Sequence, residues 1–230
     1  MNLLREKTIK TVTRKHIGAI MLMLFLTLIF VSCGAEDMRE QELSLQVKIH
    51  TVSTEGTGII IDVKGKEAVV ASPYHVIKDY DDAAYIELAD KGKVKGAILG
   101  FIEDRDIAFL TIDTEDSALI KNVEEKVKDS AANLLNTDEE KSIKAKKVHA
   151  YNLYENGQRY DGTIEEDKTY LYDLEQTMML INICAYEGMS GAGLYDDDAN
   201  VLGMIIAGNG SQTAAIGMHD VYDYYLRITE

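Results

Sequence analysis

From residue 43 onward the apolar residues fall into short runs at close spacing: 47–52, 58–63, 68–72, 84–88, 93–101 and 107–112, punctuated by Gly, Asp or Lys clusters. Short apolar runs bounded by such clusters read as β-strands. No helical stretch of the kind a βαβ crossover needs lies between them, which argues against a parallel α/β sheet and for a sandwich or small barrel. A second set of runs, 146–153, 159–165, 178–183, 193–195, 201–207 and 213–217, follows after a break. The pattern predicts an all-β protein made of two successive units, 43–115 and 146–218.

The segment 116–145 between them is rich in Glu, Lys, Asp, Ala and Leu, with Leu119, Val123, Val127, Leu134 and Leu135 near helical spacing. It predicts a connector with some helix. In the last segment, 219–230, Val221, Tyr224, Tyr225 and Ile228 stand at offsets of zero, three, four and seven, the signature of an amphipathic helix, expected to pack on the second unit. The N-terminus is basic up to His16 and then runs through 17–31, IGAIMLMLFLTLIFV, without a charge. This predicts an export signal, since a full membrane span needs about 20 apolar residues. Ser32, Gly34 and Ala35 could lengthen it into a retained anchor helix. The following residues, Phe30-Val31-Ser32-Cys33-Gly34, resemble the lipobox of bacterial lipoproteins, with Phe30 in place of the usual Leu. That resemblance implies a signal peptide over 1–33 and lipidation of Cys33. In either case the basic end stays inside and the remainder lies on the outer side of a bacterial membrane. Residues 34–42, GAEDMREQE, are polar and lack apolar periodicity, and read as a tether.

Composition narrows the partners more than the fold. The 230 residues suffice for one ordinary domain or two small ones, and the net charge of −15 repels phosphate backbones, which argues against nucleic acid. The first 32 residues hold five cations and one anion, so removing them deepens the charge to −19. With Cys33 and Cys184 as the two cysteines there is no disulfide framework, and a bridge between them would tie a flexible arm to a predicted core strand; none is expected. Asp196-Asp197-Asp198-Ala199-Asn200 lacks the Gly and distal Glu of a calcium loop and predicts a turn. No metal or cofactor is expected.

Three segments carry candidate chemistry. Glu187-Gly188-Met189-Ser190-Gly191-Ala192-Gly193-Leu194 sets a serine in a glycine-rich loop entering a strand. Acyl transfer needs a hydroxyl presented without crowding, beside backbone N–H groups aimed at the oxygen that becomes negative. An ordinary Gly-Ser turn has the same composition, so the loop alone decides nothing. Ala68-Val69-Val70-Ala71-Ser72-Pro73-Tyr74-His75-Val76-Ile77 is a β run ending at a histidine, and Asp104-Arg105-Asp106-Ile107-Ala108-Phe109-Leu110 puts a carboxylate directly before an apolar strand. Neither is informative by itself. Together they occur in the order His, Asp, Ser, with successive members 31 and 84 positions apart.

In this order and context the chain resembles the trypsin-like peptidase superfamily, and within it the bacterial HtrA/Deg-type and glutamyl-endopeptidase-like protease domains. Gly56-Thr57-Gly58-Ile59-Ile60 corresponds to the family's early Gly-x-Gly strand, Tyr74-His75-Val76-Ile77 to its His-Val motif, and Asp106-Ile107-Ala108 to its Asp-Leu-Ala motif. Gly188 to Leu194 corresponds to its serine motif, and Val201-Leu202-Gly203-Met204 to the strand that follows. The likeness runs from about Val47 to Arg227. It implies two six-stranded antiparallel β-barrels with a C-terminal helix and the site in the cleft between the barrels. It also implies an endopeptidase acting on peptide or protein substrates, with Ser190 as nucleophile, His75 as general base and Asp106 as the orienting carboxylate. The backbone N–H groups of Gly188 and Ser190 would form the oxyanion hole.

Two positions depart from the family. Gly193 replaces the usual Pro, and Met189 stands where Asn or Asp is common. The resemblance places the specificity pocket at Ile183, Cys184, Ile206, Ala207 and Gly208, apolar or small residues that offer no carboxylate to a basic substrate side chain. Glu187 is the nearest acid but lies in the serine loop, and Cys184 reads as a buried small hydrophobe rather than a second nucleophile. An α/β-hydrolase is excluded by order, because its histidine follows the serine and only His219 does so here. No PDZ domain is expected after the protease unit. The alternative from another class is a catalytically silent, surface-anchored binding protein on the same scaffold.

Overall fold

The computed structural model describes residues 38–81, 84–88, 92–113, 127, 142–172 and 174–230. The export segment with Cys33, the first part of the tether and most of the connector lie outside the described residues.

Seven strands make the first unit: β1 (Gln46–His50), β2 (Glu55–Lys64), β3 (Glu67–Ser72), β4 (Tyr85–Leu88), β5 (Gly92–Val94), β6 (Gly96–Ile102) and β7 (Ile107–Asp113). They form one antiparallel sheet in the order β5-β4-β1-β2-β3-β7-β6. The run 93–101, expected as a single strand, is split at Lys95. Its ammonium donates to the Ala84 carbonyl at 2.6 Å, and the Gly96 N–H donates to the Tyr80 hydroxyl at 2.8 Å, which turns the chain away from β4 toward β7. The split has a consequence for shape. β5 and β6 are the two edges of the sheet, yet one residue joins them, so the sheet must curl until its edges meet at Lys95. Bulges at Ile60/Asp62 in β2 and Ile98/Gly100 in β6 supply bends that such curling needs.

The second unit is a closed six-stranded barrel, in the order β10-β13-β12-β11-β8-β9. Its strands are β8 (Lys147–Asn152), β9 (Gln158–Leu171), β10 (Gln176–Ile181), β11 (Gly193–Tyr195), β12 (Val201–Gly208) and β13 (Thr213–Gly217). β9 is much longer than the apolar run at 159–165 because it serves two neighbours. Residues 158–163 pair with β8 and residues 164–171 with β10, and this second half is largely solvent-facing, which hides it from a hydrophobic pattern. A half-barrel sheet, a closed barrel and a C-terminal helix agree with the chymotrypsin-like two-barrel expectation.

Inward positions follow the alternation. Val47, Ile49, Ile59, Ile61, Val70 and Leu110 fill the first core; Val148, Ala150, Ile164, Ile181 and Leu194 fill the second. The last helix, here α2 (Met218–Thr229) after the single turn α1 (Tyr74–Ile77), buries Met218, Val221 and Tyr225. It was expected to pack on the second unit and in fact bridges both. It touches β12 and β13, while the Tyr222 hydroxyl donates to the Ile61 carbonyl and the Tyr225 hydroxyl to Asp62, each at 2.7 Å, on β2. Ile228 lies so close to Gly100 that a Cβ there would stand 2.6 Å from it. Residues 38–44, at the end of the polar segment, are helical.

Candidate active site

β3 runs toward the site as a buried strand and stops at Pro73, which has no N–H to continue a ladder. The chain then makes the single turn of α1, anchored by buried Val76 and Ile77, and leaves the His75 ring partly open to solvent. Asp106 ends the 3-10 turn Glu103–Arg105 with φ of +48°, a left-handed conformation that Asp adopts more readily than most residues. That turn is tied to the second barrel: the Arg105 carbonyl accepts from the Gln176 amide at 3.0 Å, and the Arg105 guanidinium donates to the Glu175 carbonyl.

The left-handed turn folds the Asp106 carboxylate back onto His75 at two points. Oδ1 accepts from the His75 backbone N–H at 2.8 Å, and Oδ2 stands 2.6 Å from Nδ1. A carboxylate only accepts, so the neutral imidazole carries its proton on Nδ1 and leaves Nε2 with a free lone pair. Asp104, the other carboxylate of this segment, is exposed on the preceding turn.

The serine loop is seated on β2 through Thr57. The Thr57 N–H donates to the Ser190 carbonyl and its hydroxyl to the Gly188 carbonyl, both at 2.8 Å. Gly191 has φ of +90° and lies so tightly against Thr57 that a Cβ would stand 1.7 Å from its carbonyl oxygen. No other residue fits there. Gly56 packs between the two loops: a Cβ on it would meet Val76 at 2.6 Å and the Ser190 carbonyl at 3.2 Å. Thus the residue after His75 and the backbone of Ser190 converge on one glycine of β2.

Within the loop the N–H groups of Met189, Gly191 and Ala192 are used, by the carbonyls of Tyr186, Ile205 and Met189 respectively. Those of Gly188 and Ser190 donate to nothing among the described residues. Two unspent backbone donors flanking a serine are what an anionic tetrahedral intermediate requires. Met189 is fully buried in the second core, so apolar packing holds the loop at this position.

The expected pocket residues divide. Ile183 and Ile206 are buried, while Ala207 and Gly208 face solvent at the end of β12. The half-buried Cys184 thiol donates to the Gly210 carbonyl at 2.8 Å. A Cβ on Gly208 would stand 3.0 Å from the Ala185 Cβ, so the two walls approach closely. Glu187 is exposed. The Asp196 carboxylate is saturated by the chain itself, accepting from the N–H groups of Asp198 and Asn200, the Asn200 amide and Lys146, and so shapes a turn. A hollow of about 580 Å³ lies on the first unit beside Lys64, Glu67 and Thr111, apart from these loops.

Sequence reasoning did not single out Thr57 or Tyr154. The Gly-x-Gly spacing around Thr57 was a usable signal, because it marks a strand approached closely on both sides. Tyr154 had none. Its ring packs on Gly188, and its hydroxyl lies 2.9 Å from the carbonyls of Ile49 and Gly56, with burial pushing the phenol up so that it stays a donor.

Comparison with known proteins bears on the fold and the family. The fold matches Deg5, with a TM-score of 0.63 at 19% identity over 82% of this chain and 90% of that one. It also matches an inactive serine-to-alanine form of Rv3671c from M. tuberculosis H37Rv, with a TM-score of 0.58 at 16% identity over 82% of this chain and 88% of that one. A further inactive form of the Rv3671c protease gives 0.57 at 18% identity, over 81% and 90%. At these identities the likeness speaks for the fold. No curated protein matches the sequence. The profile of the trypsin-like peptidase domain, however, matches residues 56–204 and so takes in all three candidate segments. With more than half of its length matched, the chain belongs to the trypsin-like peptidase family of serine endopeptidases.

Proposed function

We propose that the protein is an exported, membrane-anchored serine endopeptidase in which Ser190, His75 and Asp106 act as one catalytic unit. The observation that carries this assignment is the two-point grip of Asp106 on His75, because it imposes the tautomer that a general base needs. Nε2 of His75 takes the proton as Ser190 Oγ attacks the scissile carbonyl. The charge that develops on the substrate oxygen is met by the N–H groups of Gly188 and Ser190, and Asp106 stabilises the imidazolium. His75 then returns the proton to the leaving amine. An acyl-enzyme on Ser190 remains, and water attacks it by the same route. Peptide or protein substrates follow from the chemistry.

The charge-free stretch 17–31 and the lipobox-like residues around Cys33 support export and anchoring on the outer side of a bacterial membrane, by lipid or by helix. The full-length protein in detergent, treated with a fluorophosphonate, tests the site. Stoichiometric labelling is expected in the wild type, lost in Ser190→Ala and slowed in His75→Ala. Adding His75→Ala to Ser190→Ala should lower residual hydrolysis little further, because the two residues do one job. A folded wild type that resists labelling across pH would favour a silent binding protein instead.

A further inference from the structure

Residues 41–45, the segment just ahead of β1, do not all stay in solvent. Glu42 is 3% exposed, and three side chains of the second barrel converge on it. His149 Nε2 lies 3.1 Å from both carboxylate oxygens, the Tyr151 hydroxyl donates to Oε2 at 2.5 Å, and the Tyr195 hydroxyl donates to the Glu42 carbonyl at 3.0 Å. His149 and Tyr151 share one face of β8, and Tyr195 pairs with His149 across the ladder to β11. Nδ1 of His149 is buried without a partner, so Glu42 is the only hydrogen-bonding group that orients this ring among the described residues. Burial, and after it the carboxylate of Glu42, pushes both phenols up, which keeps Tyr151 and Tyr195 as donors.

The residue that follows this segment, the first of β1, holds the serine loop. Gln46 Oε1 accepts from the Gly193 N–H at 3.0 Å, three residues beyond Ser190, and a Cβ on Gly193 would stand 2.7 Å from the Tyr195 ring. The Leu45 carbonyl accepts from the Ile60 N–H at 2.8 Å on β2, the strand that seats the loop through Thr57. β11 is therefore held at Gly193 by Gln46 and at Tyr195 by Glu42. Met189 is apolar, so the loop supplies no ion pair of its own at that position.

A buried carboxylate needs a reason. Taking it out of water costs several kcal/mol before its partners compensate, and an apolar side chain of similar volume is often as stable. What the carboxylate adds is direction, since it can be satisfied in only one arrangement of His149 and Tyr151. We infer that Glu42 is a positioning residue: it latches the segment ahead of β1 into the second barrel and thereby holds the Ser190 loop in its reactive geometry. This rests on the assignment of Ser190 as the nucleophile.

The latch is tested by fluorophosphonate labelling of full-length variants, followed as both a rate constant and an end point. In Glu42→Ala the rate constant should fall by about tenfold to a hundredfold, the scale of a misplacement near 1 Å, while the end point stays at one label per chain. Gln46→Ala should show a smaller fall, and Glu42→Gln, which keeps the shape and one acceptor, should fall between Glu42→Ala and wild type. A Glu42→Ala variant that labels at the wild-type rate overturns the inference, whether or not its end point drops, because a lower end point alone reports a less stable fold. Should Glu42→Ala be too unstable to purify, Glu42→Gln decides: a rate constant equal to wild type reduces Glu42 to space filling and overturns the latch. A wild type that does not label fails differently, since it removes the assignment of Ser190 and the latch with it.

Discussion

Replacing Asp106 by Asn tests the histidine tautomer on which the proposed mechanism depends. Asn tolerates the left-handed φ of +48° about as well as Asp, so the turn and the fold should survive. The amide oxygen belongs at the Oδ1 position, where it keeps the 2.8 Å bond from the His75 N–H; its NH₂ then faces Nδ1 across 2.6 Å and donates to it. The imidazole proton is driven to Nε2, which then has no lone pair to take the proton of Ser190, the proposed nucleophile. The reverse placement sets two donors face to face at 2.8 Å, at a cost of about 3 kcal/mol, and leaves roughly one molecule in a hundred in the productive tautomer. The missing negative charge beside the imidazolium removes a further factor of about a hundred. The product, about 10⁴ in kcat or ~5.5 kcal/mol, is the loss found when this carboxylate is neutralised in serine proteases. Steady-state hydrolysis of a peptide ester by wild type and variant, with circular dichroism on both, measures it. A folded Asp106→Asn enzyme within tenfold of wild type would refute the role given to Asp106.

Four other outcomes follow from the same structure. Gly191→Ala should abolish labelling of Ser190, because its Cβ would overlap the Thr57 carbonyl at 1.7 Å; a labelled variant at the wild-type rate would mean the loop is not seated on β2. His75→Ala should lower hydrolysis by a factor of about 10⁴ or more, so a folded variant within tenfold of wild type would count against its role as base. Burial alone would raise the Asp196 carboxyl, but Lys146 and Asn200 outweigh it and hold the group below the usual range. Its folded value is depressed, so its contribution is complete above the unfolded value near 4 and is lost as pH falls through the folded one. Asp196→Asn should therefore lower stability by about 2 kcal/mol at neutral pH and flatten the acid limb of a denaturation series; an unchanged limb would contradict this. Metabolic labelling with a fatty acid should vanish in Cys33→Ser, and persistence would exclude lipidation at that cysteine.

Much of this protein is determined by short-range pattern. Short apolar runs between turn-forming clusters located most strands, because a strand must bury apolar side chains in a core, and the offsets of Val221, Tyr224, Tyr225 and Ile228 predicted the last helix for the same reason. The candidate site was legible because acyl transfer constrains residue type locally: small residues around Ser190, a histidine ending a strand, an aspartate beginning one. Where partners are distant, the pattern is silent. Lys95 looks like any strand residue, and only its bond to the Ala84 carbonyl, with that of Gly96 to Tyr80, shows why the run breaks there. β9 is half solvent-facing, and its length is set by two neighbours rather than by its own side chains. Glu42 carries the sequence signature of a tether, since a charged residue in a polar stretch is ordinarily solvated. Only the tertiary structure brings His149, Tyr151 and Tyr195 to it, over separations of more than a hundred residues in chain. The sequence motif pointed to Asp106, but the left-handed turn that brings its carboxylate onto His75 is recorded by no periodicity and is seen only in the folded chain.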